Sequence, residues 1–335
     1  MGLQVGLVYD LRGDYLAQGY TQEQVAEFDS DATINALEEA IGSLGHGTER
    51  IGNAFSLCKR LAAGERWQLI FNIAEGLRGR SRESQVPAIL ELYGVGYTFS
   101  DPLVCAATLD KAVAKRLLQS AGLPTARFRV VAGADDLADA DALGLEFPLF
   151  AKPVAEGTGK GIDGSSRVDS AAQLREVCAR LVKQFDQPVL VEEYLPGREF
   201  TTGVLGCGGK ARILGTIELR MRERAGTDIY SYQMKEQCEE LVDYLPMAAG
   251  DLRRRVEDLA LRAYRLLECR DAGRVDMRLD RAGGPAFLEI NPLPGLHPTH
   301  SDLPMIATQE GMSYGELIGS IINSAAERLG IGHEV

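Results

Sequence analysis

The stretch GRVDMRLD, residues 273 to 280, followed after the turn 281 to 285 by AFLEINP, residues 286 to 292, decides how the chain is read. Successive strand residues point to opposite faces, so Val275, Met277 and Leu279 share one face and Arg274, Asp276 and Arg278 the other. On the second strand Leu288 and Ile290 are expected on the apolar side, with Glu289 and Asn291 opposite. Pairing the apolar faces then brings Asp276, Glu289 and Asn291 together. Two carboxylates and an amide oxygen form a hard-oxygen set suited to magnesium held jointly with substrate phosphates. Arg274, on the same face, can stabilise a developing oxyanion. Charges at alternate positions also describe an ordinary solvated hairpin face, and the two strands alone leave both readings open. The next segment, NPLPGLHPTHSDLP, makes a rigid turn at Pro294 and Gly295. Glycine there lets backbone N–H groups approach a ligand closely, which favours a site.

Working outward, LFAKPVAEGTGKGI (149 to 162) ends a strand at Lys152 and alternates glycines at 157, 159 and 161. Such a loop can curl and turn several N–H donors toward anionic oxygens. It is not a Walker A loop: position 154 is Val, and Lys160 is followed by Gly161 and Ile162 rather than Ser or Thr. It lacks GxGxxG, which disfavours a dinucleotide reader. An ordinary turn with a surface lysine has the same composition. A third cluster, VLVEEYLPGREF (189 to 200), runs a strand into a turn with Glu192, Glu193 and Glu199. There a carboxylate can accept from a ribose while backbone groups read a purine edge. Three solvated acids fit equally.

The rest of the chain alternates strand and helix patterns. Residues 3 to 9 and 67 to 73 read as strands. Helices follow from Asp29, Ser30 and Asp31 with Ile34, Leu37, Ile41 and Leu44 in register, and from Gln85 to Tyr93. The next helix is placed over 108 to 122, with Thr108 as N-cap, Gly122 at its end and Pro124 beyond. Strands are expected at 127 to 132, 147 to 154, 188 to 195, 199 to 206 and 211 to 219. Helices are expected near 170 to 184, 250 to 268 and 314 to 328. The polar stretch 220 to 245 has little periodicity and reads as a lid or binding loop. Three domains follow: 1–105 with a small parallel sheet, 106–190, and 191–335.

Composition narrows the function. Against 36 basic residues stand 48 acidic ones, a net charge of −12, which repels a nucleic-acid backbone. The six cysteines are scattered, without CxxC or zinc-ligand spacing, and read as reduced, mostly buried small hydrophobes. Charges within the first ten residues, and no apolar run of signal or membrane-spanning length, place the chain in the cytoplasm.

Taken in order, these segments resemble the ATP-grasp superfamily, specifically its D-alanine–D-alanine ligase branch. FNIAEGLRGRSRESQVPAILELYGVGYTFSDP (71 to 102) and TLDKAVAKRLLQSAGLPT (108 to 125) complete the likeness. The resemblance implies a clamp of two ATP-grasp domains behind the small first domain. It implies a ligase that uses ATP with two magnesium ions, or manganese, to join amino-acid-like substrates, and a homodimer. By it, Lys111 and Lys152 hold ATP phosphates, with Gly157 and Thr158 in the loop that closes over them. Glu192, Leu195, Glu199 and Leu288 match nucleoside contacts. Lys235, in YSYQMKEQ, matches the lysine of a mobile cover. Asp276, Glu289 and Asn291 match the metal ligands, Arg274 with the Gly295 backbone the oxyanion site, and Ser301 a contact to the second substrate.

The substrate positions depart from the family. Its His-Gly pair is here Glu75-Gly76, and its first-domain Ser-Ala-Glu is replaced by a longer loop in which Glu27 is the stand-in. Glu236 stands where an aromatic or His normally accompanies the cover lysine. The family's Asn-Thr-x-Pro-Gly is here Asn291-Pro292-Leu293-Pro294-Gly295. The added acids Glu75 and Glu236 point to a first substrate with more positive charge or a different second amine, with surface salt bridges as the alternative. Arg78, Arg80 and Arg82 could bind a carboxylate, but an exposed basic loop is the expected reading. Two further readings stand beside the wall-precursor enzyme: a ligase for another amino-acid pair, and a non-catalytic ATP-binding regulator.

Overall fold

The computed structural model describes residues 2–137, 143–222 and 241–331, arranged around three sheets. The first is parallel, in the order β2, β1, β3, from Gln4–Val8 (β1), Gly47–Gly52 (β2) and Leu69–Asn72 (β3). β1 and β3 are nearly continuous apolar runs because both of their faces are covered. Helix Asp31–Ser43 starts where the Ser30 hydroxyl accepts the Thr33 N–H. Its Ile34, Leu37 and Ile41 join Leu317, Ile318, Ile321 and Ile322 of helix Tyr314–Leu329 in one core. Leu214, Ile217 and Leu219 of a later sheet belong to the same core, so the first sheet is packed directly against the C-terminal part of the chain.

The second sheet, wholly antiparallel, has the order β4, β7, β5, β6, from Phe128–Val131 (β4), Leu149–Pro153 (β5), Arg167–Val168 (β6) and Val189–Glu193 (β7). Leu149, Ala151, Val189 and Val191 face helix Ala171–Phe185. Alternation therefore sends Phe150, Lys152 and Glu192 the other way. The third sheet is also antiparallel, in the order β10, β9, β8, β11, β12. Its strands are Glu199–Leu205 (β8), Arg212–Met221 (β9), Val242–Pro246 (β10), Ala272–Leu279 (β11) and Pro285–Asn291 (β12). Val275, Met277 and Leu279 pack on helix Asp251–Leu266, leaving Arg274, Asp276 and Arg278 for the opposite face.

Several local expectations need correction. The segment 102 to 120 is two helices, Pro102–Leu109 and Lys111–Ser120, each started by an aspartate: Asp101 accepts from Val104 N–H and Asp110 from Val113 N–H. Thr108 is no cap; its hydroxyl donates to the Val104 carbonyl. Helices Arg12–Ala17, Ala54–Ala62 and Asp302–Gln309, and strand β2, have no counterpart in the sequence reading. The end of the polar stretch 220 to 245 pairs as β10 with β9. Residues 223–240, with Lys235 and Glu236, lie outside the described residues. Cys105, Cys178 and Cys269 are buried free thiols, but Cys58 is exposed. Among the described residues no helix is long and apolar enough to cross a membrane.

Candidate active site

The outward faces of the second and third sheets enclose a cleft of about 840 Å³, counting its open mouth. Lys152 and Glu192 line one wall, Glu199, Arg274, Asp276, Leu288 and Glu289 the other, and Lys111 and Leu195 also reach it. Chain segments more than a hundred residues apart thus bring nine of the expected site residues to one space.

The hairpin sets the far wall. Arg274 lies opposite Asn291 and Asp276 opposite Glu289, after which the register slips so that Met277 faces Phe287. Leu288 is the extra residue of this bulge. It therefore turns into the cleft, not to the apolar side with Ile290 as simple alternation requires, and fully buried Phe287 takes the core position. The Asn291 amide donates to Asp276 at 3.4 Å, and the Lys111 ammonium lies 3.4 Å from Glu289. Among the described residues no three His, Cys, Asp or Glu side chains cluster to hold a metal by themselves. Two carboxylates with one amide fit instead an ion that keeps water and phosphate oxygens among its ligands, as magnesium does.

Arg274 is fixed from both sides. Its Nε and Nη2 donate to Asp276 at 3.1 and 2.9 Å, and Nη1 donates to Asp302. Burial disfavours the charge, but Asp276 and Asp302 outweigh it and raise the pKa above the usual arginine value. A cation held this rigidly loses little freedom when an anion forms beside it. Thr201 adds a 2.9 Å hydrogen bond to Asp276.

On the near wall Glu192 bridges two buried lysines, Lys152 at 2.9 Å and Lys115 at 2.8 Å. Burial would push its carboxyl up, but the Lys115 and Lys152 charges hold it down at about 2. The lysines respond differently. At Lys115 burial wins and the pKa falls; at Lys152 burial is outweighed by Glu192 and Glu289, and it rises. Lys152 is thus the firmly charged group facing the cleft. Lys115 also donates to Thr125 Oγ1 and to the Phe287 carbonyl, joining the hairpin to the helix.

The glycine-rich loop enters beside these lysines. Gly159 and Ile162 line the cleft. Thr158 holds a left-handed φ of 50° and a buried hydroxyl with no hydrogen-bond partner, a strained backbone and an orphan polar atom in one β-branched residue. Glu27 is not in the cleft wall; it accepts the Gly157 N–H at 2.6 Å and pairs with Arg82 and Lys160. Glu75, just past β3, lies among Glu83, Glu27 and Asp29; burial first, then the Glu83 charge, push its carboxyl well up. Gly295 sits against Ser301, where a Cβ would come 2.8 Å from the hydroxyl, and that hydroxyl accepts the His297 N–H.

Four residues of this region escaped the sequence reading. Lys115 was detectable, four residues after Lys111 on the same helix face. Asp302 follows Ser301 directly. Thr201 alternates with Glu199 on one strand face. Arg82 escaped in its burial: able to bind a carboxylate but expected in an exposed loop with Arg78 and Arg80, it is 6% exposed.

Comparison with known proteins bears on the same segments. A family model described as D-ala D-ala ligase C-terminus matches residues 117–323. A D-alanine–D-alanine ligase of Bordetella petrii is 38% identical over 253 residues, 75% of this chain and 74% of that one. An uncharacterized protein of Sinorhizobium fredii is 34% identical over 267 residues, 78% of this chain and 75% of its own. Among solved structures, the D-alanine–D-alanine ligase of Bacillus anthracis complexed with ATP superposes with a TM-score of 0.75 at 22% identity, over 98% of this chain and 99% of that one. The VanG D-Ala:D-Ser ligase of Enterococcus faecalis gives 0.74 at 20% identity, over 97% and 100%. At these identities the structures speak for a shared fold, and the sequence matches carry the kinship: the chain belongs to the D-alanine–D-alanine ligase family.

Proposed function

We propose that the chain is an ATP-dependent carboxylate–amine ligase that joins two amino-acid-like substrates through an acyl phosphate. The observation that carries this is the convergence of Lys111, Lys152, Asp276, Glu289 and Arg274 on one cleft between two sheets. Three cations and two carboxylates there match the needs of a triphosphate, its counter-ion and a developing oxyanion.

In this reading Lys111, Lys152 and the loop at Gly157 and Thr158 take the phosphates, and Glu192, Leu195, Glu199 and Leu288 surround the nucleoside. Asp276, Glu289 and Asn291 would hold magnesium, in two ions, or manganese, which when bound would supply charge neutralisation to the transferring phosphoryl group. The substrate carboxylate oxygen attacks the γ-phosphorus, forming a new P–O bond and releasing ADP. The amine nitrogen then bonds to the activated carbonyl carbon, phosphate departs with the C–O pair, and the amine gives up its proton. Arg274 and the Gly295 N–H face the oxyanion of that second step, a contribution of about 3 to 4 kcal/mol per well-placed donor. Ser301 orients the second substrate, and Lys235 with Glu236 belongs to the cover. The domain limits 1–105, 106–190 and 191–335, the homodimer and the cytoplasmic setting complete the proposal.

A second reading concerns the first substrate. Burial, helped by neighbouring carboxylates and opposed by Arg82, pushes Glu75 well up and Glu83 up to about 7. Among the described residues neither has an ion-pair partner. Glu83 is close enough to Lys111 and Glu289 to interact with both. A substrate bearing an extra cationic group would relieve this repulsion, which favours an amino acid other than alanine.

The test is phosphate release from ATP across a panel of D- and L-amino acids, singly and in pairs, with products identified by mass. Amide product with equal ADP and phosphate supports the ligase. Exclusive turnover of D-alanine would remove the second reading, and no amide from any pair would remove the first.

A further inference from the structure

One buried network plays no part in the chemistry above. Arg82, on the short turn Arg82–Ser84 after β3, donates two hydrogen bonds to Glu27 at 3.0 and 2.9 Å and a third to the Ala155 carbonyl at 2.8 Å. Glu27 accepts the Gly157 N–H at 2.6 Å and lies 3.3 Å from the Lys160 ammonium, which also pairs with Glu156. Beyond the Arg82–Glu27 pair, the contacts end on residues 155 to 160 of the glycine-rich loop, while Arg82 and Glu27 come from the first-sheet region. Gly157 has no room for a side chain, since a Cβ would fall 2.4 Å from Glu27 Oε1.

Past these held atoms the loop folds into two tight turns, Lys160 N–H donating to the Gly157 carbonyl and Ile162 N–H to the Gly159 carbonyl, each at 3.0 Å. Thr158 and Gly159 turn through positive φ of 50° and 71°, and the Thr158 hydroxyl is buried without a partner. A glycine-rich segment is costly to order. Pinning the Ala155 carbonyl and the Gly157 N–H orders its base in advance, leaving the following groups aimed for a ligand. An arginine suits this task because its Nη2 reaches both oxygens of the Glu27 carboxylate while Nη1 donates to the Ala155 carbonyl.

We propose that Arg82, acting through Glu27, is a positioning residue that holds the base of the glycine-rich loop so that Thr158 and the loop N–H groups receive the triphosphate. The proposal rests on the ligase reading. It makes the shape of the phosphate site depend on the first-sheet region, where the unpaired acids Glu75 and Glu83 also lie.

Calorimetric binding of adenosine and of a non-hydrolysable ATP analogue to the full chain separates positioning from general stability. In Arg82→Met and Glu27→Gln the analogue's affinity falls about tenfold or more, the scale of a lost charge-assisted hydrogen bond, while adenosine affinity stays within about twofold. Arg82→Lys, which keeps the charge but not the fork, falls between. If Arg82→Met does not fold, Glu27→Gln and Lys160→Met carry the comparison, because both leave Arg82 in place. Equal losses for both ligands, or no loss for either, overturn the proposal. A wild-type chain that binds the analogue no better than adenosine would instead refute the nucleotide reading, and the positioning role with it.

Discussion

Glu192→Gln tests the electrostatic spine of the near wall. The substitution keeps shape and removes one charge, leaving Lys115 and Lys152 facing each other without the carboxylate that lies 2.8 and 2.9 Å from them. In the fold this carboxyl is held at about 2, against an ordinary 4.5. A group whose folded pKa is depressed adds stability above its unfolded pKa and loses it as pH falls through the folded value. Here the ionised form contributes about 3 kcal/mol at pH 7, falling to about 1.4 kcal/mol at pH 3. Urea denaturation followed by far-ultraviolet circular dichroism should show Glu192→Gln less stable than wild type by about 3 kcal/mol at pH 7, with the gap closing between about pH 4.5 and 2. A gap under about 1 kcal/mol at pH 7, or one that does not shrink on acidification, would refute the reasoning.

Other perturbations give separate readouts. Asp276→Asn weakens the hold on Arg274 and removes a charge from the proposed metal site. Turnover should fall at least about a hundredfold, with a higher magnesium requirement in steady-state kinetics. Gly295→Ala places a methyl group 2.8 Å from the Ser301 hydroxyl. The KM for the amine substrate should rise several-fold with the KM for ATP unchanged. Glu83 is raised to about 7 by burial and by the neighbouring Glu27 charge. It is therefore mostly protonated below that pH, and binding of a cationic amino acid should tighten from pH 6 to 8, an effect absent in Glu83→Gln.

The legibility of the sequence divides along physical lines. Period-2 alternation in β11 and β12 was enough to bring Asp276, Glu289 and Asn291 together, because a strand sends alternate side chains to one face whatever lies around it. One bulge was enough to misplace Leu288, since an extra residue in a ladder leaves no mark on hydropathy. The Asp101 and Asp110 caps were readable in principle, but taking Thr108 as the cap of one helix over 108 to 122 hid the break at Asp110. The burial of Arg82 was beyond reach for another reason. A charged residue is buried only when its partners are, and Glu27 and Ala155 are 55 and 73 residues away. The contacts of Glu27 with Arg82, Lys160 and the Gly157 N–H were hidden in the same way, since only the fold assembles them.

The central claim is that a substrate carboxylate is phosphorylated in the cleft before an amine displaces phosphate. Turnover with an amino acid labelled with ¹⁸O in its carboxylate, and mass analysis of the phosphate released, addresses it directly. The account predicts one labelled oxygen in each phosphate formed with product. Phosphate free of label, at the same yield of amide, would contradict it.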